Sequence, residues 1–268
     1  MSIFAFINNY SMSPLFSIIT VTYNAASTLP ATLSSVKEQT CKLFEYIIMD
    51  GVSSDRTLKV AIDAGIEQSR IYSSPDKGIY DAMNKAMEVA SGEYLIFLNA
   101  GDAFHSPDTL QKLADLIMDN DFPGIVYGQT NLVDLKRRFI APRHLRAPDE
   151  LTLKSFSTGM VVCHQSFVVL RKLAQRYDLR YRYSADYDWC IRCLQRSRRN
   201  VFFNDVMIDY LLEGTTTANR RASLMERFRI MSYYYGFWPT LGRHIGFIPR
   251  FLKQKLIEKK GLKEVGDA

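Results

Sequence analysis

The chain has 268 residues, 47% of them hydrophobic and 23% charged, with a net charge of +6. That length allows one large domain with ample core, and the composition excludes a disordered chain. Four scattered cysteines exclude a disulfide scaffold, and the crowding of Lys and Arg at residues 136–146 and beyond Arg171 favours anionic partners such as phosphates or a membrane surface.

Met1 to Ser13 is mildly apolar but lacks a basic start, so it makes a poor secretory signal. No apolar run approaches the ~20 residues that cross a bilayer, and a cytoplasmic location is expected. Phe16 to Tyr23 (FSIITVTY) is β-branched and nearly all apolar, the pattern of a buried strand. It ends at Asn24-Ala25-Ala26-Ser27, after which Leu29, Leu33 and Val36 fall at helical spacing. Tyr46 to Met49 is a second strand, followed by the loop from Asp50 to Thr57, in which an acid can cap the helical run Leu58 to Ala64. Ile71 to Ser74 is a third strand, and Pro75-Asp76-Lys77-Gly78 leads from it into an amphipathic helix, Ile79 to Ala90. Tyr94 to Leu98 is an uninterrupted apolar run ending in Asn99-Ala100-Gly101-Asp102, then a helix from about Pro107 to Met118 and a strand from Gly124 to Tyr127.

The alternation of strand and helix over the first 130 or so residues predicts a doubly wound, mostly parallel sheet. Neither GxGxxG nor GxxxxGK[ST] occurs, which argues against a dinucleotide fold and a P-loop enzyme. Each strand instead ends in a polar loop: Thr22-Tyr23-Asn24, Asp50 with Asp55, Asp76 with Lys77, and Asn99 with Asp102. In open parallel sheets ligands bind beyond the carboxyl ends of strands. Asp102 there can reach a hard divalent cation whose other places go to water and phosphate oxygens. Cys190 and Cys193 form a CxxC in mid-helix surroundings with no second Cys or His pair at zinc spacing, and read as reduced structural thiols. After a loose, basic stretch from Asn131 to Thr158, a helix opens at Tyr183-Ser184-Ala185-Asp186-Tyr187-Asp188-Trp189. Leu224 to Leu262 mixes aromatic and basic residues and suits either a membrane interface or packing on the domain or on a second subunit.

"SIITVTYNAASTL", "IIMDGVSSDRT", "SPDKGIYDAMNKAMEVASGEYLIFLNAGD" and "YSADYDWCIRCL" together resemble the inverting glycosyltransferases of family 2, with the GT-A fold, in the subgroup of colanic-acid and other surface-polysaccharide transferases. The resemblance covers about residues 15 to 215. It implies an N-terminal extension (1–14), a GT-A domain (15–218) divided into a nucleotide-sugar-binding half (15–130) and an acceptor half (131–218), and a helical C-terminal segment (219–268). It further implies Mg²⁺ or Mn²⁺, a nucleotide-sugar donor with a lean to UDP over GDP, and a glycan or polyprenyl-diphosphate-linked acceptor at the inner face of the cytoplasmic membrane. Thr22, Tyr23 and Asn24 would line the base pocket, Asp50 would accept hydrogen bonds from base or ribose, and Lys77 would meet the diphosphate. Asp81 and Asn99 would touch donor sugar or ribose, His164 and Gln165 the acceptor or diphosphate, and Asp102 the metal. Asp50-Gly51 replaces the pair of adjacent acids common in the family, Asn99 replaces the first acid of its DxD motif, and Ala185 the Glu of its ED motif. Asp186 then serves as the base for the acceptor hydroxyl, with Asp188 as its competitor. Two other classes stay open: a catalytically inactive nucleotide-sugar-binding scaffold and a sugar-1-phosphate nucleotidyltransferase, although the latter's glycine-rich basic loop is missing after the first strand.

Overall fold

The computed structural model of the chain describes residues 14–212 and 220–245. The expected N-terminal extension up to Ser13, the expected loop from Glu213 to Thr217, and the basic and aromatic residues from Phe247 onward lie outside the described residues.

β1 (Phe16–Thr22) is buried along its whole length, and its side chains alternate between two cores, Ile19 and Val21 in one, Phe16 and Ile18 in the other. It leads into α1 (Leu29–Lys37), which has Pro in its first turn and buries Leu29, Leu33 and Val36. The alternation continues through β2 (Phe44–Asp50), α2 (Thr57–Asp63), β3 (Ile71–Ser73), α3 (Ile79–Val89) and β4 (Tyr94–Phe97). β1 pairs in parallel with β2 and β4, and β2 with β3, so all four carboxyl ends share one edge.

Downstream come β5 (Ala103–Phe104), α4 (Thr109–Asp119), β6 (Ile125–Val133), β7 (Phe139–Pro142), β8 (Phe167–Leu170), α5 (Ala185–Arg196), β9 (Asn200–Leu211) and α6 (Arg220–Tyr235). Here the sheet becomes mixed. β8 is antiparallel to both β4 and β6, β9 is parallel to β6, and β5 closes the far edge antiparallel to β9. β7 hangs from β6 alone as a largely exposed edge strand. The α/β sheet with a parallel N-terminal half is as expected; the other half is antiparallel at its joint with β4.

The two cores cover the two faces of the sheet. One gathers α3, α5 and α6 around Phe97, Tyr187 and Trp189; the other gathers α1, α2 and α4 around Tyr94, Phe104 and Leu113. α6 belongs to the first core through Ile230 and Met231, both buried. It also grips the segment that opens α5. Glu226 accepts hydrogen bonds from the backbone N–H groups of Arg182 (2.9 Å) and Tyr183 (2.8 Å), and the hydroxyls of Ser184 and Ser223 meet at 3.1 Å.

Candidate active site

The loops after β1, β2, β3 and β4 meet the end of β9 around a cleft of about 770 Å³. Of the residues singled out in the sequence, Thr22, Tyr23, Asn24, Asn99 and Asp102 line it, whereas Asp50, Lys77, Asp81, His164, Gln165, Asp186 and Asp188 do not.

Asp50 is fully buried, and its carboxylate accepts hydrogen bonds from Thr22 Oγ1 (2.8 Å), Ser73 Oγ (2.9 Å), Ser53 N (2.9 Å) and Ser53 Oγ (2.5 Å). Its oxygens are thus occupied in tying together the ends of β1, β2 and β3, in place of the expected contact with base or ribose. Asp76 stands in the cleft instead. One of its oxygens accepts from Gly78 N (2.8 Å), while a Cβ on Gly51 would collide with the other. The Gly that departs from the family's acidic pair is therefore the space that Asp76 fills from the next loop. Lys77 is exposed, and its backbone N–H donates to Asp81 (3.0 Å), whose carboxylate also pairs with Lys85 at 3.5 Å. Asp81 is a first-turn acid of α3 satisfied within its own helix. Neither residue reaches the cleft, because the turn before α3 directs Asp76 inward.

Two cleft residues hold the left-handed backbone region, Asn24 (φ 51°) and Val52 (φ 62°). Asn24 stabilises its own conformation by accepting a hydrogen bond from Ser54 N at 2.9 Å. Val52 is β-branched, a conformation such residues rarely adopt outside functional sites. Tyr23 and Val52, 69% and 50% exposed, leave apolar surface bare along the cleft.

The loop after β4 turns at Gly101 (φ 106°), where a Cβ would fall 2.7 Å from Leu211. Thr32 on α1 fixes this turn, accepting from Gly101 N (2.9 Å) and donating to Asp102 O (2.7 Å). The Asp102 carboxylate, 4% exposed, accepts from Leu211 N (2.9 Å) and Gln165 Nε2 (2.8 Å). Burial pushes its pKa up to about 7, against the opposing pull of those two donors and of Arg137. Gln165 is in turn held by the Cys163 thiol at 3.0 Å, so it orients Asp102 rather than meeting an acceptor. Arg137, reaching in from the β6–β7 turn, donates to the carbonyls of Gly101 (2.6 Å) and Asp209 (3.3 Å) and pins the loop to β9.

The Asn99 side-chain oxygen is buried with no hydrogen-bond partner among the described residues. One carboxylate and one unpaired amide oxygen suit Mg²⁺ or Mn²⁺, hard cations that take oxygen ligands. Among the described residues no group of three His, Cys, Asp or Glu side chains could hold a metal by itself, so diphosphate oxygens and water would complete such a site.

Asp186 lies in the first turn of α5, its Oδ1 accepting from the Tyr80 hydroxyl (3.1 Å) and Tyr187 N (2.9 Å). Tyr80 sits on α3 between Ile79 and Ala82, both of which line the cleft. Tyr210, on the wall formed by β9, has its phenol pKa raised by burial first, and the fields of Asp102 and Asp186 add to it. Asp188 points elsewhere: 2.7 Å from Arg192 Nε and 2.8 Å from the Tyr234 hydroxyl, it is a buried brace between α5 and α6 and not a competitor for the proton. His164 is likewise corrected. Its ring stacks on Phe97 (centroids 5.1 Å apart), its Nε2 lies 2.7 Å from the Tyr177 hydroxyl, and burial depresses its pKa to about 4. It is a neutral core residue under the cleft.

Sequence reasoning passed over Asp76, Arg137 and Tyr210 as site residues. Asp76 was visible as a strand-end carboxylate, and Arg137 as part of a basic run. Tyr210 carried no signal, because its strand was not foreseen.

Residues 17–177 match the model of glycosyl transferase family 2. A PGL/p-HBAD biosynthesis glycosyltransferase of Mycobacterium bovis is 38% identical over 188 residues, 68% of this chain and 70% of that protein. An uncharacterized glycosyltransferase of Mycobacterium tuberculosis is 32% identical over 242 residues, covering 87% of this chain and 88% of its own. Among solved structures, S. aureus TarS 1–349 in complex with UDP-GlcNAc superposes with a TM-score of 0.66 at 18% identity, over 87% of this chain and 73% of that one. Glucosyl-3-phosphoglycerate synthase from Mycobacterium tuberculosis with Mg²⁺ and UDP gives 0.61 at 15% identity, over 88% and 84%. At these identities the structural likeness speaks to the fold.

Proposed function

The chain belongs to glycosyl transferase family 2, and on that footing we propose that it moves a sugar, with inversion, from a nucleotide-sugar donor to a hydroxyl of a glycan or lipid-linked acceptor. The observation that supports this reading is the cleft above the carboxyl ends of parallel strands, lined by Asn99 and Asp102, with Asp186 tied by a hydrogen bond to Tyr80, the chain neighbour of the lining residue Ile79.

The bare surfaces of Tyr23 and Val52 suit the faces of a flat heterocycle. The free oxygen of Asp76 is an acceptor for an N–H of that base or for a ribose hydroxyl. UDP, which the relatives TarS and glucosyl-3-phosphoglycerate synthase are named with, is the preferred donor nucleotide in this reading. Asp102 and the amide oxygen of Asn99 would hold the divalent cation. When bound, it neutralises the charge that grows on the departing diphosphate.

Asp186 takes the proton from the acceptor hydroxyl as that oxygen attacks the anomeric carbon. Both hydrogen bonds given to its carboxylate fall on Oδ1, which leaves Oδ2 as the proton acceptor among the described residues. Tyr80, on α3, fixes the rotamer, so the carboxylate need not reorganise as the hydroxyl arrives. Attack opposite the leaving diphosphate inverts the centre. The basic and aromatic C-terminal helices suit an acceptor presented at a membrane surface; no described helix is long and apolar enough to cross one.

Asp186→Asn should lose transfer by a factor of at least about 10² while isothermal titration shows donor binding intact. A variant that keeps most of its turnover would overturn the assignment, and a nucleotide that binds without any turnover in the unaltered protein would leave the scaffold reading standing.

A further inference from the structure

A second cavity, of about 450 Å³, lies between the 3₁₀ segment Leu153–Thr158, α5, α6 and the helical residues 237–245. None of its lining residues lines the donor cleft. Lys154 and Arg243 bring two positive charges into a lining that, among the described residues, contains no carboxylate. Among the described residues no ion pair engages either cation. Nη1 of Arg243 is moreover buried with no hydrogen-bond partner among the described residues. Asp188, the acid on the adjoining helix, is already taken by Arg192 and Tyr234. A buried guanidinium N–H without an acceptor forfeits a charge-assisted hydrogen bond, and a phosphate oxygen is the ligand whose geometry matches that planar fork.

Beside the two cations the lining combines Leu153, Ile191, Pro239 and the rings of Tyr234 and Tyr235 with the uncharged polar Ser157 and Gln195. Next to the lining residues Tyr234 and Pro239 in the chain stand Tyr233, Phe237 and Trp238, respectively 80%, 51% and 76% exposed. Large aromatic surface beside a cationic pocket is the arrangement that accepts a polar head and a hydrocarbon chain together. We propose that this cavity binds the phosphate head of an amphiphile, gripped by Lys154 and Arg243, with the chain lying along Phe237 and Trp238.

Full-length protein titrated with dihexanoyl phosphatidate below its micelle concentration, and separately with inorganic phosphate, distinguishes a lipid head from a free anion. Trp238 is exposed and its fluorescence reports an arriving chain, while calorimetry gives both affinities. The phosphatidate should bind at least about tenfold more tightly than phosphate, and Lys154→Gln combined with Arg243→Gln should weaken it about tenfold or more, with UDP affinity unchanged. Equal affinity for the two ligands, or a folded double variant that binds phosphatidate as well as the original, overturns the proposal. Should the double variant fail to fold by circular dichroism, Gln195→Glu puts a carboxylate into the lining from an exposed helical position. It should produce the same loss, and unchanged affinity there overturns the proposal equally.

Discussion

Asp102 is a carboxyl group whose protonation and cation binding compete. Its pKa, raised to about 7 mainly by burial, lies above the ordinary carboxylate value, so without a cation the folded protein prefers it protonated. The sign follows: its contribution to stability is complete below the ordinary value of 3.8 and is lost as pH rises through about 7. A bound cation reverses that preference. Calorimetric titration of Mn²⁺ in the presence of UDP should therefore show affinity rising from pH 6 to pH 8, by up to about tenfold per unit below pH 7. Asp102→Asn should lose the cation at every pH, and a flat profile for the original protein would show that Asp102 does not ligate it. Asp102, Asn99 and Thr22 were readable as residues of the cleft because a strand end fixes where the following loop must lie. Lys77, Asp81, His164 and Gln165 were not, because local sequence does not say which way a side chain turns. His164 turned into an aromatic core, Gln165 onto Asp102, and Lys77 and Asp81 stayed within the turn and first turn of α3.

At the scale of elements, α6 supports the segment that opens α5 and carries Asp186. Glu226 satisfies two backbone N–H groups immediately before α5, Tyr234 braces Asp188, and the Tyr235 hydroxyl donates to Leu153 O at 2.7 Å. Asp186 sits three residues after Tyr183, one of the two residues held by Glu226. Glu226→Ala should lower kcat while leaving the UDP dissociation constant unchanged, and cost about 1–3 kcal/mol of stability from the unsatisfied donors. A rise in KM for donor with kcat intact would assign Glu226 to the donor side instead. This clamp joins residues over forty positions apart in the chain, and no periodicity reports such a contact. β9 escaped sequence reading for a related reason. Its burial is irregular, with exposed Asn204 and Asp205 in mid-strand, and its register against β6 shifts at Gly128 and Gln129. The alternation that marks a half-buried strand is broken at those points.

For the molecule as a whole, the parallel half was legible because each strand, loop and helix there is a local unit with its own pattern. The other half depends on β8 slotting between β4 and β6, a pairing set by distant segments. The C-terminal boundary drawn from composition near residue 219 also cuts through a packed core. Ile230 and Met231 are 0% and 2% exposed, and burying two such side chains contributes roughly 3–6 kcal/mol. A chain ended before Arg220 should melt far below the full-length chain or not fold. Equal melting temperatures for the two in differential scanning calorimetry would show that α6 is dispensable to the core.

Gly51 and Asp76 occupy one volume between them: the small residue on one loop is the condition for the acid on the next. Such a pair is expected to covary rather than to vary singly. Moving the acid across the gap, as Gly51→Asp with Asp76→Gly, should restore much of the UDP affinity that Gly51→Asp alone destroys by crowding and Asp76→Gly alone by subtraction. Evolution could then trade the negative charge between neighbouring loops without altering the sheet beneath them.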